Sequence, residues 1–243
     1  MNKFHSPKAV LFDVFGTVVD WRSSVAEQLA AFGNKHEFKF NAEEFTDRWR
    51  AGFRVLQKKI AQGETWWMTM DEIHRKVLDQ LLLEENISDI EEAELVDLNR
   101  AWHRLRPWPD AVAGLQRIKQ GHIISPLSNG NLSMLVAVAK FAALPWDCVL
   151  STAMFASYKP DPKVYLGAAE LLGLSPDQVM LVAAHAYDCD GAAAAGLQTA
   201  YVHRPDEFGP GRGEDPGDTA RFDVTVRDFL ELADALAAHS GQQ

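Results

Sequence analysis

Reactive side chains follow four apolar, strand-like stretches of the sequence. Asp13 ends the first stretch, Ser128 and Asn129 end the second, Lys159 lies in the segment YKPDP after the third, and Asp188 follows the fourth. In an open parallel α/β sheet, ligands bind beyond the carboxyl ends of the strands. We therefore expect one crevice to hold a carboxylate, a hydroxyl, an ammonium group and a second carboxylate. A predicted helix begins after Asn129, and the free N–H groups of a helix N-terminus favour an anion.

A structural role is the alternative for Asp13. Most aspartates at strand ends begin a turn or cap a helix, and this interpretation stays open for Asp13 taken alone. The four strand ends taken together favour the crevice, because chance would rarely bring such groups to one edge of a sheet.

The elements that position these groups alternate along the chain. Five short apolar runs predict strands: AVLF from Ala9, HIIS from His122, DCVLS from Asp147, VMLVAA from Val179 and TAYVH from Thr199. Each of the first four is followed by polar or Gly/Pro breakers and then by a helical pattern. Alternating strands and helices predict an α/β fold with a doubly wound parallel sheet.

The chain between the first two strands has a different pattern. Residues 21–104 contain no convincing strand run but several helical patterns, for which Ser24 or Asn41 are plausible N-caps. This predicts a helical domain of residues 21–104 inserted into a core domain of residues 1–20 and 105–243. Further on, RPDEFGPGRGEDPGD predicts a surface loop, and a final amphipathic helix is predicted from near Asp228.

Composition excludes several classes of partner. The net charge of −10 argues against nucleic acid and anionic membranes, which bind clustered Lys and Arg. Cys148 and Cys189 have no metal-ligand or CxxC spacing, so we expect a reducing compartment and a function that needs no thiol. No stretch has the length of a signal peptide or a membrane span, which predicts a cytoplasmic protein.

The histidines His74, His103, His122 and His203 show no metal spacing, and we expect surface or hydrogen-bonded core positions for them.

Four motifs carry a resemblance to a known family. They are DVFGT at Asp13, SNG at Ser128, YKPDPKVY at Tyr158 and AAHAYDCDGA at Ala183. In this order they resemble the haloacid dehalogenase superfamily, and within it the L-2-haloacid dehalogenases. The resemblance implies a Rossmann-like core, a cap domain formed by the helical insertion, and a homodimer.

Phe15 bears on the choice between dehalogenase and phosphatase. Phosphatases of the superfamily carry an aspartate two residues after the nucleophile, which protonates the leaving alcohol. A phenyl ring can transfer no proton, whereas a halide leaving group needs none.

The same phosphatases bind Mg²⁺ through acidic residues after the fourth strand. Here only Asp188 and Asp190 are acidic there, and we expect Asp190 to point elsewhere. Lys159 can instead balance the charge of Asp13, so we expect no metal or cofactor.

The resemblance implies a two-step covalent mechanism. Asp13 attacks C2 of a short L-2-haloacid, expels the halide and forms an aspartyl ester with inverted configuration, which water then hydrolyses to the 2-hydroxy acid. Asp188 matches the residue near that water. His185 replaces an asparagine common in characterised relatives and is itself a suitable base, so we expect the two residues to share the task. Ala183 stands where those relatives often carry serine.

The resemblance also implies the residues that bind the substrate. Arg50 matches an arginine that contacts the halogen or the carboxylate, while Thr17, Ser128, Asn129 and Tyr165 bind the carboxylate or orient Asp13 and Lys159. A solvated helix arginine and a packing tyrosine are the alternatives for Arg50 and Tyr165. Phe15 is expected to form an apolar wall beside the nucleophile. We expect the tryptophans Trp21, Trp49, Trp66, Trp67 and Trp102 to pack in the core or the cap.

Three other functions stay open at this stage. They are a Mg²⁺-dependent phosphatase on the same fold, a non-catalytic protein that binds a metabolite or partner, and a dehalogenase tuned to fluoroacetate. Phe15 argues against the first, and the joint presence of Asp13, Lys159 and Asp188 argues against the second. The sequence does not fix the preferred halogen, the acid chain length or the stereochemical strictness.

Overall fold

A six-stranded parallel sheet forms the centre of the computed structural model, which describes residues 5–240. Its strands are β1 (Ala9–Phe12), β4 (Ile123–Ser128), β5 (Leu150–Ser151), β6 (Val179–Ala183), β7 (Gln198–Val202) and β8 (Val224–Val226). They lie in the order β5-β4-β1-β6-β7-β8. The doubly wound α/β fold is therefore confirmed. β8 was not predicted from the sequence, because three residues flanked by polar side chains give no clear strand pattern.

The central position of β1 follows from its apolar sequence. All of its residues are buried, and it pairs in parallel with β4 on one side and β6 on the other. Strands covered on both faces read as continuous apolar runs rather than as alternating ones. The carboxyl ends of β1, β4 and β6 consequently meet at one edge of the sheet.

Nine helices surround the sheet in the part of the chain that the structure describes. They are α1 (Trp21–His36), α2 (Ala42–Ala61), α3 (Met70–Glu84), α4 (Glu92–Asn99), α5 (Ala111–Ile118), α6 (Leu132–Phe141), α7 (Pro162–Leu171), α8 (Ala186–Ala194) and α9 (Phe229–Ser240). α1 to α4 lie between two short antiparallel strands, β2 (Val19–Asp20) and β3 (Arg106–Pro107). One continuous cluster of buried side chains joins these helices to the sheet. The division into core and cap domains stays a prediction.

The N-caps of the first two helices differ in how well the sequence predicts them. Asn41 caps α2, and its Oδ1 accepts from the backbone N–H of Glu43 at 3.1 Å. The prediction for Ser24 was wrong, because α1 begins at Trp21 and Asp20 is its N-cap. The Asp20 carboxylate accepts from Ser23 N–H at 3.0 Å, and a negative charge at this end also complements the helix dipole.

The loop RPDEFGPGRGEDPGD, residues 204–218, is not wholly a surface loop as predicted. Arg204 and Glu207 are buried within it. Arg204 forms an ion pair with Asp110 at 2.7 Å, and Glu207 accepts from Trp21 Nε1 at 3.2 Å. The Gly- and Pro-rich composition indicated irregular backbone correctly, but Asp110 at the start of α5 and Trp21 at the start of α1 anchor that backbone.

The predicted packing roles hold for most tryptophans and histidines. Trp21, Trp49 and Trp102 are fully buried, but Trp66 is 71% exposed, so its predicted packing role was wrong.

Among the histidines, His103 contacts Asp71, His122 contacts the Pro7 carbonyl and His203 is exposed. His74 differs, because its buried ring has no hydrogen-bond partner among the described residues and stacks on Trp102 with the ring centroids 4.1 Å apart. Burial lowers the pKa of His74 well below its ordinary value, which keeps the ring neutral.

Within residues 5–240, no helix combines the length and the apolar character that a membrane span requires.

Candidate active site

Asp13 is the first residue after β1, and neighbouring elements hold both of its carboxylate oxygens. Lys159 Nζ donates to Oδ1 at 2.9 Å, and Thr17 Oγ1 donates to Oδ2 at 2.8 Å. His185 Nδ1 lies 3.2 Å from the same Oδ2. Thr17 Oγ1 in turn accepts from the backbone N–H of Ala184 at 2.9 Å, which ties the nucleophile turn to the end of β6. The carboxylate is thus fixed in orientation before any substrate binds.

Gly16 is required in the turn that follows Asp13. Its φ of +91° lies in the left-handed region that glycine tolerates best. A Cβ placed there would lie 2.2 Å from Oε1 of Glu207. The glycine of the DVFGT motif therefore gives both the turn and the space for a buried carboxylate.

Lys159 lies between the two catalytic carboxylates predicted from the sequence. Its Nζ donates to Asp188 Oδ2 as well as to Asp13, and its backbone N–H donates to Asn129 Oδ1 at 3.0 Å. Tyr165 Oη donates to Asp188 Oδ1 at 2.6 Å. Asp188 is fully buried, and both of its oxygens accept a hydrogen bond.

Burial and charge together set the ionisation of this group. Burial alone would raise the pKa of Asp13, but the Lys159 ammonium and the His185 hydrogen bond outweigh it and hold that pKa well below its ordinary value. Burial would lower the pKa of Lys159, but the carboxylates of Asp13 and Asp188 raise it above its ordinary value. Burial and the Asp13 charge raise the pKa of Asp188, against the effect of Lys159. Asp13 is consequently an ionised carboxylate in a buried site, as a nucleophile requires.

His185 lies between two buried carboxylates. Its Nδ1 faces Asp13, and its Nε2 lies 3.0 Å from Oε1 of Glu207. Burial alone would lower the pKa of His185, but the two carboxylates raise it well above its ordinary value. The two carboxylates therefore favour the protonated form of the imidazole ring.

Arg50 reaches the site from α2 and lies among aromatic rings. Its guanidinium carbon is 5.7 Å from the ring centroid of Phe15, 5.3 Å from that of Trp21, 5.2 Å from that of Phe53 and 5.8 Å from that of Trp102. Nε and Nη1 are buried without a hydrogen-bond partner among the described residues. Burial lowers the pKa of Arg50 to about 10, so it is still cationic at neutral pH. An unpartnered, positively charged donor in an apolar setting is a binding group for an anion.

A cavity of about 500 Å³ joins Asp13 to Arg50. Most of the site residues predicted from the sequence line it: Asp13, Phe15, Arg50, Ser128, Asn129, Lys159 and His185. Thr17, Asp188 and Tyr165 lie behind this wall and hold its members by the hydrogen bonds described above. The structure thus brings all of the predicted site residues together. Asp190 is exposed and pairs with Arg221 at 2.8 Å.

Several residues at the site were not predicted. Glu207 contacts His185, the Glu214 carboxylate accepts from the first N–H of α8, and Tyr158 and Phe208 line the cavity. Glu207, Phe208 and Glu214 belong to the loop 204–218. No local pattern marks such residues, because only the folded loop brings them to the sheet edge. The space beside Gly16 is the one feature that points to Glu207, and it too is visible only in three dimensions.

The site does not have the composition of a metal centre. In the described part of the chain, no group of three or more His, Cys, Asp and Glu side chains could hold a metal ion. The Lys159 ammonium lies between Asp13 and Asp188, where it balances both carboxylates. A magnesium ion does not fit between those carboxylates while Lys159 holds them.

Comparisons with known proteins agree with this geometry. A family model for haloacid dehalogenase-like hydrolases matches residues 7–196. (S)-2-haloacid dehalogenase 4A from Burkholderia cepacia is 32% identical over 208 residues, which cover 82% of this chain and 84% of that enzyme.

Solved structures extend the similarity over nearly the whole chain. A defluorinating L-2-haloacid dehalogenase is 44% identical with a TM-score of 0.93, and the match covers 96% of this chain and 99% of that one. L-2-haloacid dehalogenase from Xanthobacter autotrophicus, solved with chloropropionic acid covalently bound, is 25% identical with a TM-score of 0.78, over 95% of this chain and 98% of that one. The resemblance carried by the four sequence motifs is thereby confirmed, and the chain belongs to the haloacid dehalogenase-like hydrolases and, within them, to the L-2-haloacid dehalogenases.

Proposed function

We propose that this protein hydrolyses the carbon–halogen bond of short L-2-haloacids and releases 2-hydroxy acids through an ester on Asp13. The observation that carries the proposal is the pairing of two groups across one cavity. Asp13 is an ionised, hydrogen-bonded carboxylate on one side, and Arg50 is an unpartnered cation on the other. A substrate that combines an anionic group with a leaving halide has the chemistry that such a cavity would recognise.

In the first step, Asp13 attacks C2 of the bound haloacid from the side opposite the halogen. Lys159 and Thr17 hold the carboxylate in one orientation, which lowers the entropic cost of reaching the attack geometry. Arg50 binds either the substrate carboxylate or the departing halide through its free N–H groups. Phe15 and Phe53 line the cavity and exclude water, which strengthens these electrostatic interactions.

In the second step, water attacks the carbonyl carbon of the Asp13 ester. His185 contacts Asp13 directly, and Asp188 is linked to it through Lys159; these are the two residues that the sequence suggested for water activation. Lys159 and Thr17 remain near the ester carbonyl, where hydrogen bonds stabilise the negative charge of the tetrahedral intermediate. Hydrolysis restores Asp13 and releases the 2-hydroxy acid with inverted configuration.

A phosphatase activity is not favoured. Phe15 occupies the position of the general acid in the superfamily's phosphatases, and its ring packs beside Gly130 and Arg50. Because that position carries no proton donor, a phosphate ester would have to expel its alkoxide without protonation of the leaving oxygen. Cleavage of a carbon–halogen bond has no such requirement.

Defluorination is a second candidate, supported by one observation. The similar protein with the TM-score of 0.93 is a defluorinating dehalogenase. The carbon–fluorine bond is strong, so its cleavage requires firm hydrogen bonding to the leaving fluoride. Arg50 offers two buried N–H groups for that purpose. Fluoride release from fluoroacetate, measured beside chloride release from chloroacetate, tests this extension.

The proposed function is tested by halide release from L- and D-2-chloropropionate, measured separately in the presence of a chelator. We expect release from the L-form, no release from the D-form, and no effect of the chelator. The matched variant Asp13→Asn keeps the shape of the side chain and should abolish release while remaining folded. Phosphate-ester hydrolysis that requires Mg²⁺, without halide release, would contradict the proposal. A homodimer and a cytoplasmic location stay predictions from the sequence.

A further inference from the structure

Both ring nitrogens of His185 face carboxylates. Nδ1 is 3.2 Å from Oδ2 of Asp13, and Nε2 is 3.0 Å from Oε1 of Glu207. An ionised carboxylate can only accept hydrogen bonds, so each nitrogen must carry a proton. The His185 side chain is therefore an imidazolium that joins the nucleophile to a second buried carboxylate.

The surroundings fix Glu207 in this position. Trp21 Nε1 donates to the same Oε1 at 3.2 Å, and Glu207 is only 1% exposed. Gly16 gives it space, because any larger residue there would place a Cβ 2.2 Å from Oε1. Oε2 has no partner among the described residues, so the contacts of Glu207 are concentrated on the oxygen that holds His185.

We propose that Asp13, His185 and Glu207 form a nucleophile–base–carboxylate triad, in which His185 activates the water that hydrolyses the Asp13 ester. Glu207 is the positioning residue, since it holds Nε2–H and leaves Nδ1 directed at Asp13. The same division of roles recurs on unrelated folds in hydrolases with a nucleophile, a histidine and a carboxylate. This inference rests on the proposed function and assigns the base of its second step.

The protons balance over the cycle. When Asp13 attacks the haloacid, its C2–O bond forms, the carbon–halogen bond breaks and the carboxylate loses its charge. His185 then faces only one carboxylate, and its Nδ1 proton leaves to solvent with the halide. Neutral His185 takes a proton from the attacking water and donates it to the alkoxide oxygen of the departing 2-hydroxy acid when the tetrahedral intermediate collapses. The second proton of that water is then on the Asp13 carboxyl group and moves to neutral His185, which restores the ion pair seen in the structure.

Asp188 is less suited to the role of base. Its Oδ1 accepts from Tyr165 and its Oδ2 from Lys159, so each oxygen already holds a donor. It is also fully buried behind the cavity wall, whereas His185 lines the cavity. Besides Asp13 and Glu207, the titratable side chain that faces the His185 ring is Tyr187, with the ring centroids 5.7 Å apart, and Lys159 and Glu214 line the same cavity. The geometry assigns to Asp188 the positioning of Lys159.

The test is Glu207→Gln in the full-length enzyme. The amide keeps a hydrogen-bond acceptor for Nε2 but removes the charge that orients and supports the base. With L-2-chloropropionate and enzyme in excess, we expect ester formation on Asp13 at the wild-type rate and ester hydrolysis slowed by roughly 100-fold. Quenched samples should therefore show the Asp13 peptide carrying the mass of the esterified acid. The matched control is Asp206→Asn, which removes the same charge from an exposed neighbour on the loop and should leave both steps unchanged.

Equal ester lifetimes in Glu207→Gln and Asp206→Asn would overturn the triad. If the wild-type enzyme still releases halide in that case, the proposed function is unaffected. A wild-type enzyme that releases no halide would instead overturn the proposed function.

Should Glu207→Gln fail to fold, nitrogen NMR of labelled histidine supplies a second test. In the wild type, both His185 nitrogens should be protonated near neutral pH. In Asp13→Asn, which mimics the uncharged ester, we expect His185 to keep only the Nε2 proton. A doubly protonated ring in that variant would overturn the assignment of His185 as the base.

Discussion

Replacing Lys159 with methionine tests the charge balance of the site most severely. Methionine keeps an unbranched side chain of similar length but removes the ammonium that contacts Asp13 at 2.9 Å and also contacts Asp188. Both carboxylates are buried, so the substitution leaves them without their shared cation. Breaking a buried ion pair by removing one partner costs about 3–5 kcal/mol. For a domain of this size that loss lowers the melting temperature by about 6–20 °C.

The cost of this substitution should depend on pH in a defined direction. In the wild type the folded pKa of Asp13 is depressed, so its ionised form contributes stability that is present above the unfolded pKa and is lost as pH falls. In the variant, Asp13 keeps its contact with His185, but Asp188 has lost Lys159, so burial raises the pKa of Asp188 further and stability is lost as pH rises through the unfolded value. The difference between the two proteins should therefore shrink between pH 7 and pH 4, by about 1.4 kcal/mol for each unit of pKa change.

Chemical unfolding at several pH values measures this difference, with halide release recorded in parallel. Lys163→Met is the matched control, since Lys163 is exposed, lies four residues away, and donates through Nζ to the Phe155 carbonyl at 2.7 Å rather than to the site. We expect that control to change stability by less than about 0.5 kcal/mol. A Lys159→Met protein with wild-type stability and turnover at pH 7 would refute the charge-balance reasoning.

Two further substitutions test the anion site and the nucleophile turn. Arg50→Lys should raise KM for the haloacid by roughly tenfold or more without unfolding the protein. Lysine cannot stack in the same way on the surrounding rings or donate through a planar fork. An unchanged KM in steady-state kinetics would contradict the assignment of Arg50 as the anion site. Gly16→Ala should destabilise the protein by at least about 1 kcal/mol and reduce turnover, since the alanine would have a positive φ and its Cβ would approach Glu207 closely. Thermal unfolding measures the change in stability, and halide release measures the change in turnover. Unchanged stability and turnover would contradict the packing described for this turn.

The sequence predicted the elements that follow from local patterns. β1 and β6 are apolar on both faces, so their runs were clear, and the rule for strand ends placed Asp13, Lys159 and Asp188 at one edge of the sheet. The family resemblance, though none of its four motifs, added Arg50, which no local pattern distinguishes from a solvated helix arginine. Its functional environment arises from Phe15 in the turn after β1, Trp21 of α1, Phe53 of α2 and Trp102, which meet only in the folded protein.

The sequence did not predict the role of the loop 204–218. Its Gly, Pro and acidic residues are typical of an exposed, irregular segment, and most of them are indeed exposed. Glu207 differs because Trp21 and His185, far from it along the chain, each contact its carboxylate. Contacts of this kind depend on how the loop crosses the sheet edge, and no periodicity in the sequence reports them. The missed N-cap Asp20 has a similar cause, because Ser24 is an equally good capping residue in type and only the true helix start distinguishes them.

The covalent role of Asp13 is tested most directly by a single turnover in water labelled with heavy oxygen, with enzyme in excess over L-2-chloropropionate. Water that attacks the ester carbonyl places its oxygen in Asp13, so we expect the label in the peptide that contains Asp13 and none in the lactate of the first turnover. Repeated turnovers should then transfer label from Asp13 to the product. Label found directly in the first-turnover product, with an unlabelled Asp13, would show that water displaces the halide itself and would contradict the mechanism.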